Sequence, residues 1–141
     1  MNPIPADLLT GWDIVIVDDE DDSLEVARYI LVFYGARVHT GINGKEGLEL
    51  VRATHPKFVI SDLSMPVIDG WEFLRILKDD PITKDIPVIA LTAHAMVGDR
   101  DRAVSAGFHS YLTKPLTAET FIHELVTLLL SIPMLSKELN I

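Results

Sequence analysis

The chain has 141 residues, with 12 Lys and Arg against 21 Asp and Glu, a formal net charge of −9 and no Cys. Its length and 48% apolar content suit one domain burying roughly two thirds of its unfolded surface, which excludes disorder. The missing cysteines exclude disulfides, Cys-ligated zinc and thiol catalysis, and the lack of a Lys/Arg cluster argues against direct nucleic-acid binding.

The N-terminal stretch MNPIPADLLTGWD has neither the basic region nor the apolar core of a signal peptide. No run anywhere approaches the ~20 apolar residues of a membrane span, so the expectation is a soluble, cytoplasmic protein without membrane contact. Residues 1–12 read as an N-terminal extension, 13–130 as the domain and 131–141 as a C-terminal tail. Ile14–Val17, Phe58–Ile60 and Val88–Leu91 are short apolar runs without alternation, as expected of parallel strands buried on both faces. After the first run, Leu24, Ala27, Leu31 and Tyr34 recur at helical spacing, and Gly35 stands where a helix stops. The same unit repeats along the chain. A weaker strand over 36–40 precedes a helix over 44–54, and strand 58–61 precedes a helix over 70–79. Strand 87–91 precedes a helix from about 97 to 106, and strand 109–112 a helix over 118–130. Five βα units predict an α/β fold, with a five-stranded parallel sheet wrapped by helices.

In open parallel sheets, ligands bind beyond the carboxyl ends of the strands. Those positions hold Asp18-Asp19-Glu20-Asp21-Asp22 after strand 1, Ser61-Asp62 after strand 3, Thr92-Ala93-His94 after strand 4 and Thr113-Lys114-Pro115 after strand 5. If strands 1, 3, 4 and 5 are neighbours, Asp18, Asp19 and Asp62 meet in one pocket with Thr92 and Lys114 at its rim. Clustered carboxylates repel unless a hard cation neutralises them, and Mg²⁺ suits oxygen ligands at about 2.0–2.1 Å.

The Asp-Asp pair ending strand 1, the lone Asp62 followed by Met65-Pro66 and Asp69-Gly70, Thr92-Ala93, and Lys114-Pro115 together resemble the receiver domain of two-component response regulators. Their order and spacing cover residues 12–130. The resemblance implies a flavodoxin-like (βα)5 fold with strand order 2-1-3-4-5, and a stand-alone, single-domain phosphoacceptor switch. In that family's terms, Asp62 receives a phosphoryl group from a phosphohistidine of a histidine kinase or histidine phosphotransfer protein. Asp19 ligates Mg²⁺ directly, Asp18 through water, and Ser64 through its backbone carbonyl. Lys114 is the cation opposite the metal, preceding a proline whose peptide bond is cis. Thr92 binds the phosphoryl group, Ala93 keeps the approach open, and Tyr111 is the switching aromatic that alters the surface of helix 4, strand 5 and helix 5. The expected protein is not a dedicated enzyme: it catalyses its own phosphorylation and slow dephosphorylation, and acts on a downstream protein.

Plainer readings stand beside these. Glu20, Asp21 and Asp22 read as acids favoured by the dipole of helix 1. Ser64 and His94 occupy positions taken to tune access of water to the acyl phosphate, and His94 is equally read as a loop histidine without a role. Trp71 reads as core or edge. Helix 5 is apolar over more than half its circumference, which leaves either a partner or homodimer surface, or cover by Ile132, Met134 and Leu135. Two other function classes compete. A Mg²⁺-dependent phosphohydrolase needs its nucleophilic Asp on strand 1, with a second Asp two residues on. A nucleotide or flavin binder needs a donor-rich loop where this chain carries five acids.

Overall fold

The computed structural model describes residues 4–93 and 98–139. The elements run β1 Asp13–Val17, α1 Asp21–Phe33, β2 Arg37–Gly41, α2 Gly44–Thr54, β3 Phe58–Asp62, α3 Gly70–Asp79, β4 Val88–Thr92, α4 Asp99–Ala106, β5 Ser110–Thr113, α5 Ala118–Leu130 and a short α6 Pro133–Ser136. The sheet is parallel throughout, in the order β2-β1-β3-β4-β5, a five-stranded flavodoxin-like arrangement as expected.

The apolar runs form strands because each supplies both faces of the sheet. Alternate residues of β1 part company: Ile14 and Ile16 join the core under α1 and α5, while Val15 and Val17 join the core under α2, α3 and α4. Phe58 and Ile60 against Val59, and Ile89 and Leu91 against Val88 and Ala90, repeat the division in β3 and β4. Asn43, Asp69 and Thr117 cap α2, α3 and α5 by accepting from backbone N–H groups three residues on.

Strands β2 to β5 each end one residue later than the apolar runs suggest, because the ladder continues past the last apolar side chain. Asp62 pairs with Leu91, and Thr92 with Thr113. The start of the helix expected from about residue 97, and His94 with it, lie outside the described residues.

The segments before β1 and after α5 add to the core. Leu8 and Leu9 are fully buried, with Leu9 N–H donating to Tyr34 O at 2.9 Å. Ile132, Leu135 and Leu139 join the core beside Leu125 and Leu129 of α5, and Lys57 pairs with Glu138 at 2.9 Å. The tail therefore packs beside the buried face of α5, while Leu130 remains 52% exposed. Met134 differs from the expectation: it stands on the solvent side of α6, 51% exposed.

Candidate functional site

The site is built where four strands end. Val17 leads directly into Asp18, whose N–H donates to Gly41 O at 3.0 Å, so the first acid is drawn wholly inside at 0% exposure. Asp19, the next residue, points outward, and Glu20 caps α1 without a side-chain bond to the helix. Asp62 and Thr92 are the last residues of β3 and β4, each 5% exposed. Lys114 follows β5, its N–H donating to Thr92 O at 2.8 Å, and the Lys114–Pro115 bond is cis.

These side chains converge. Lys114 Nζ lies 3.0 Å from Asp18 Oδ2, 2.6 Å from Glu20 Oε1 and 3.2 Å from Asp62 Oδ2. Asp18 Oδ1 accepts from Glu20 N–H at 3.0 Å, and Asp62 Oδ1 accepts from Ser64 N–H at 3.3 Å. Gly70 lets α3 begin directly against β3, since a Cβ there would stand 2.1 Å from Asp62 O. Above Asp62 opens a cavity of about 580 Å³, lined by Asp19, Glu20, Ser64, Thr92, Ala93 and Lys114 and, on the far rim, by Trp71, Asp99 and Arg102.

Burial dominates the electrostatics of Asp18. It pushes the carboxyl up to about 6, against the Glu20 N–H and Lys114 hydrogen bonds that favour the ionised form. Burial also works against the Lys114 ammonium, but the hydrogen bonds to Glu20 and Asp18 and the charges of Asp18 and Asp62 outweigh it, holding Lys114 above the ordinary lysine range.

Among the described residues, the carboxylates within 4.8 Å of one another are those of Asp18, Glu20 and Asp62. Asp18 Oδ2, although near Lys114 Nζ, is a buried oxygen without a hydrogen bond. An unsatisfied buried carboxylate oxygen beside two further carboxylates suits a hard divalent cation. Asp19 lines the cavity without joining this set, and Glu20, read from sequence as a helix-dipole acid, joins it from the solvent side through Lys114. The signal was available: Glu20 stands two residues beyond the buried Asp18, where the chain turns into α1.

Tyr111 is half-buried away from this cavity. It lines a groove with Glu124, Thr127 and Leu128 of α5, and Arg100 lies 6.0 Å from its ring centroid. Trp71 is an edge residue, as expected, meeting Phe108 edge-on at 5.6 Å, but its indole also borders the cavity.

Comparison with known proteins agrees with this arrangement. The family model for the response regulator receiver domain matches residues 14–126. The chain is 41% identical over 108 residues to an uncharacterized 14.6 kDa protein encoded in the sodA1 3′ region of Leptolyngbya boryana, covering 77% of this chain and 82% of that one. It is 35% identical over 109 residues to the polar-differentiation response regulator DivK of Brucella abortus (strain 2308), covering 77% and 89%. Among solved structures, the chemotaxis response regulator CheY4 of Vibrio cholerae superposes with a TM-score of 0.79 at 27% identity, covering 85% of this chain and all of that one. The receiver domain of a signal transduction histidine kinase from Syntrophus aciditrophicus does so with 0.73 at 31% identity, covering 86% and 92%. With the family model spanning most of the chain and the strand-end constellation in one cavity, the protein belongs to the response regulator receiver domain family.

Proposed function

We propose that the protein is a phosphoacceptor switch in which Asp62 takes a phosphoryl group from a phosphohistidine of a histidine kinase or histidine phosphotransfer protein. The observation that carries this reading is the Asp62 carboxylate, nearly buried at the floor of an open cavity and faced by Lys114 Nζ at 3.2 Å. An oxygen of Asp62 attacks phosphorus, the P–N bond breaks, and the imidazole leaves with its electron pair, giving a mixed anhydride.

Such transfer is mostly positioning and charge neutralisation. The Ser64 N–H holds Oδ1 of Asp62, and Lys114 lies beside Oδ2, where its ammonium offsets charge on a phosphoryl group arriving there. Thr92, at the adjacent strand end, supplies a hydroxyl to the phosphoryl group. Asp18, Asp19, Asp62 and the Ser64 backbone carbonyl are the groups that would hold Mg²⁺, with Glu20 close enough to compete. The cation supplies neutralisation of the carboxylates and of the transferred charge.

The consequence of modification is read at a distance. Added charge on Asp62 draws Thr92 toward the phosphoryl group, Tyr111 follows into the vacated space, and the α4, β5 and α5 surface changes for a downstream protein. Intact mass after incubation with a small acyl phosphate tests the reading. One phosphoryl adduct is expected in the wild type with Mg²⁺, and none with chelator or in Asp62→Asn. An adduct of equal yield in Asp62→Asn would overturn it.

A further inference from the structure

Two cations line the cavity over Asp62, Lys114 and Arg102, and the structure uses them differently. Lys114 lies within 3.2 Å of oxygens from three carboxylates, so its charge is already balanced by the protein. Arg102, on the exposed side of α4, has its guanidinium carbon 4.5 Å from the centroid of the Trp71 ring. A ring face attracts a cation through its quadrupole yet carries no net charge, so it positions the guanidinium without cancelling it.

The indole is itself held from two sides. Its edge-on partner Phe108 is 2% exposed, and Trp71 follows Gly70, where α3 is seated against the backbone of Asp62. Arg102 is therefore tied, through one aromatic ring, to the strand that carries the acceptor. Four acids, Asp19, Glu20, Asp62 and Asp99, border the same cavity among neutral residues. A phosphoryl group with two negative charges meets repulsion there, and a planar guanidinium with several donors is suited to phosphoryl oxygens.

We infer that Arg102, seated on the Trp71 indole at the α3 and α4 side of the cavity, is a specificity-determining residue that binds the charged phosphoryl oxygens of the incoming donor. The inference rests on Asp62 being the phosphoacceptor and adds the group that recognises the donor. With phosphoramidate as the probe, an Asp62 oxygen bonds to phosphorus, the P–N bond breaks, and the already protonated nitrogen departs as ammonia. Arg102 holds phosphoryl oxygens and exchanges no proton.

The test follows Asp62 labelling by intact mass across phosphoramidate concentrations with Mg²⁺, for the wild type, Arg102→Gln, Arg102→Lys and Arg52→Gln. Substitution of Arg52, an exposed residue of α2, makes the same change in net charge away from the cavity. Loss of a charge-assisted contact in Arg102→Gln is expected to raise the half-saturating donor concentration roughly tenfold with the maximal rate retained. Arg102→Lys recovers part of the loss, and Arg52→Gln behaves as the wild type. A wild-type concentration dependence in Arg102→Gln, or an equal rise in Arg52→Gln, overturns the role of Arg102 and leaves Asp62 as acceptor. A wild type that is never labelled overturns the phosphoacceptor reading for such donors, and this inference with it.

Discussion

Asp18 is the residue whose position costs the fold most directly. Its carboxyl is wholly buried, one oxygen lacks a hydrogen bond, and burial lifts it from the ordinary 3.8 to about 6. A carboxyl raised on folding contributes stability that is fully present below its unfolded value and lost as pH rises through the folded one. At neutral pH the ionised form therefore opposes folding. Asp18→Asn is expected to be the more stable protein at pH 7.5 without Mg²⁺, by about 1–2 kcal/mol, with the gain shrinking toward pH 4. Urea midpoints at the two pH values check this; a constant difference would contradict it. Asp13 shows the opposite sign at the other end of the sheet. The Arg37 guanidinium, followed by His39, holds its carboxyl below the usual range, so that pair stabilises the fold above pH 4 and loses its contribution as pH falls.

At the scale of elements, the site depends on helices beginning very close to strand ends. Gly70 is the tightest case: a methyl group there would meet Asp62 O at 2.1 Å and the Leu63 Cα at 2.7 Å, both backbone atoms that cannot swing aside. Gly70→Ala is expected to destabilise the protein by about 3 kcal/mol, although alanine favours helix in isolation, because overpacking against backbone outweighs propensity. Equilibrium denaturation measures it, and an unchanged midpoint would show that α3 can shift freely. The element ends also explain where the strands were misread. Asp62 and Thr92 are polar and look like loop residues, yet their backbones stay in the ladder while their side chains turn to the cavity. Periodicity detects side-chain burial and is blind to a strand residue whose polar side chain serves a site.

For the whole molecule, the segments flanking the five βα units, 8–12 and 132–139, contribute to the core. Leu135, 2% exposed on α6, and Met134, 51% exposed beside it, separate packing from composition. Leu135→Ala is expected to cost about 2–3 kcal/mol and Met134→Ala less than about 0.5 kcal/mol in urea denaturation. Equal effects would mean that the tail does not seal α5. The five βα units were legible in the sequence because parallel strands buried on both faces leave uninterrupted Val/Ile/Leu runs, and helices leave a 3.6-residue stripe. Asp62, Lys114 and the acids after β1 were legible because strand-end positions are where such sheets bind ligands. What only the tertiary structure decided is the division of labour among neighbours. Asp18 turns inward and Asp19 outward, and the longer Glu20 side chain returns to Lys114 across more than ninety residues of chain. Trp71 brings Arg102 to the rim, and Ile132 and Leu135 pack into the core beside α5. The physical reason is that local spacing sets which face a residue takes, whereas a contact between distant segments depends on how the layers pack, which no single segment encodes.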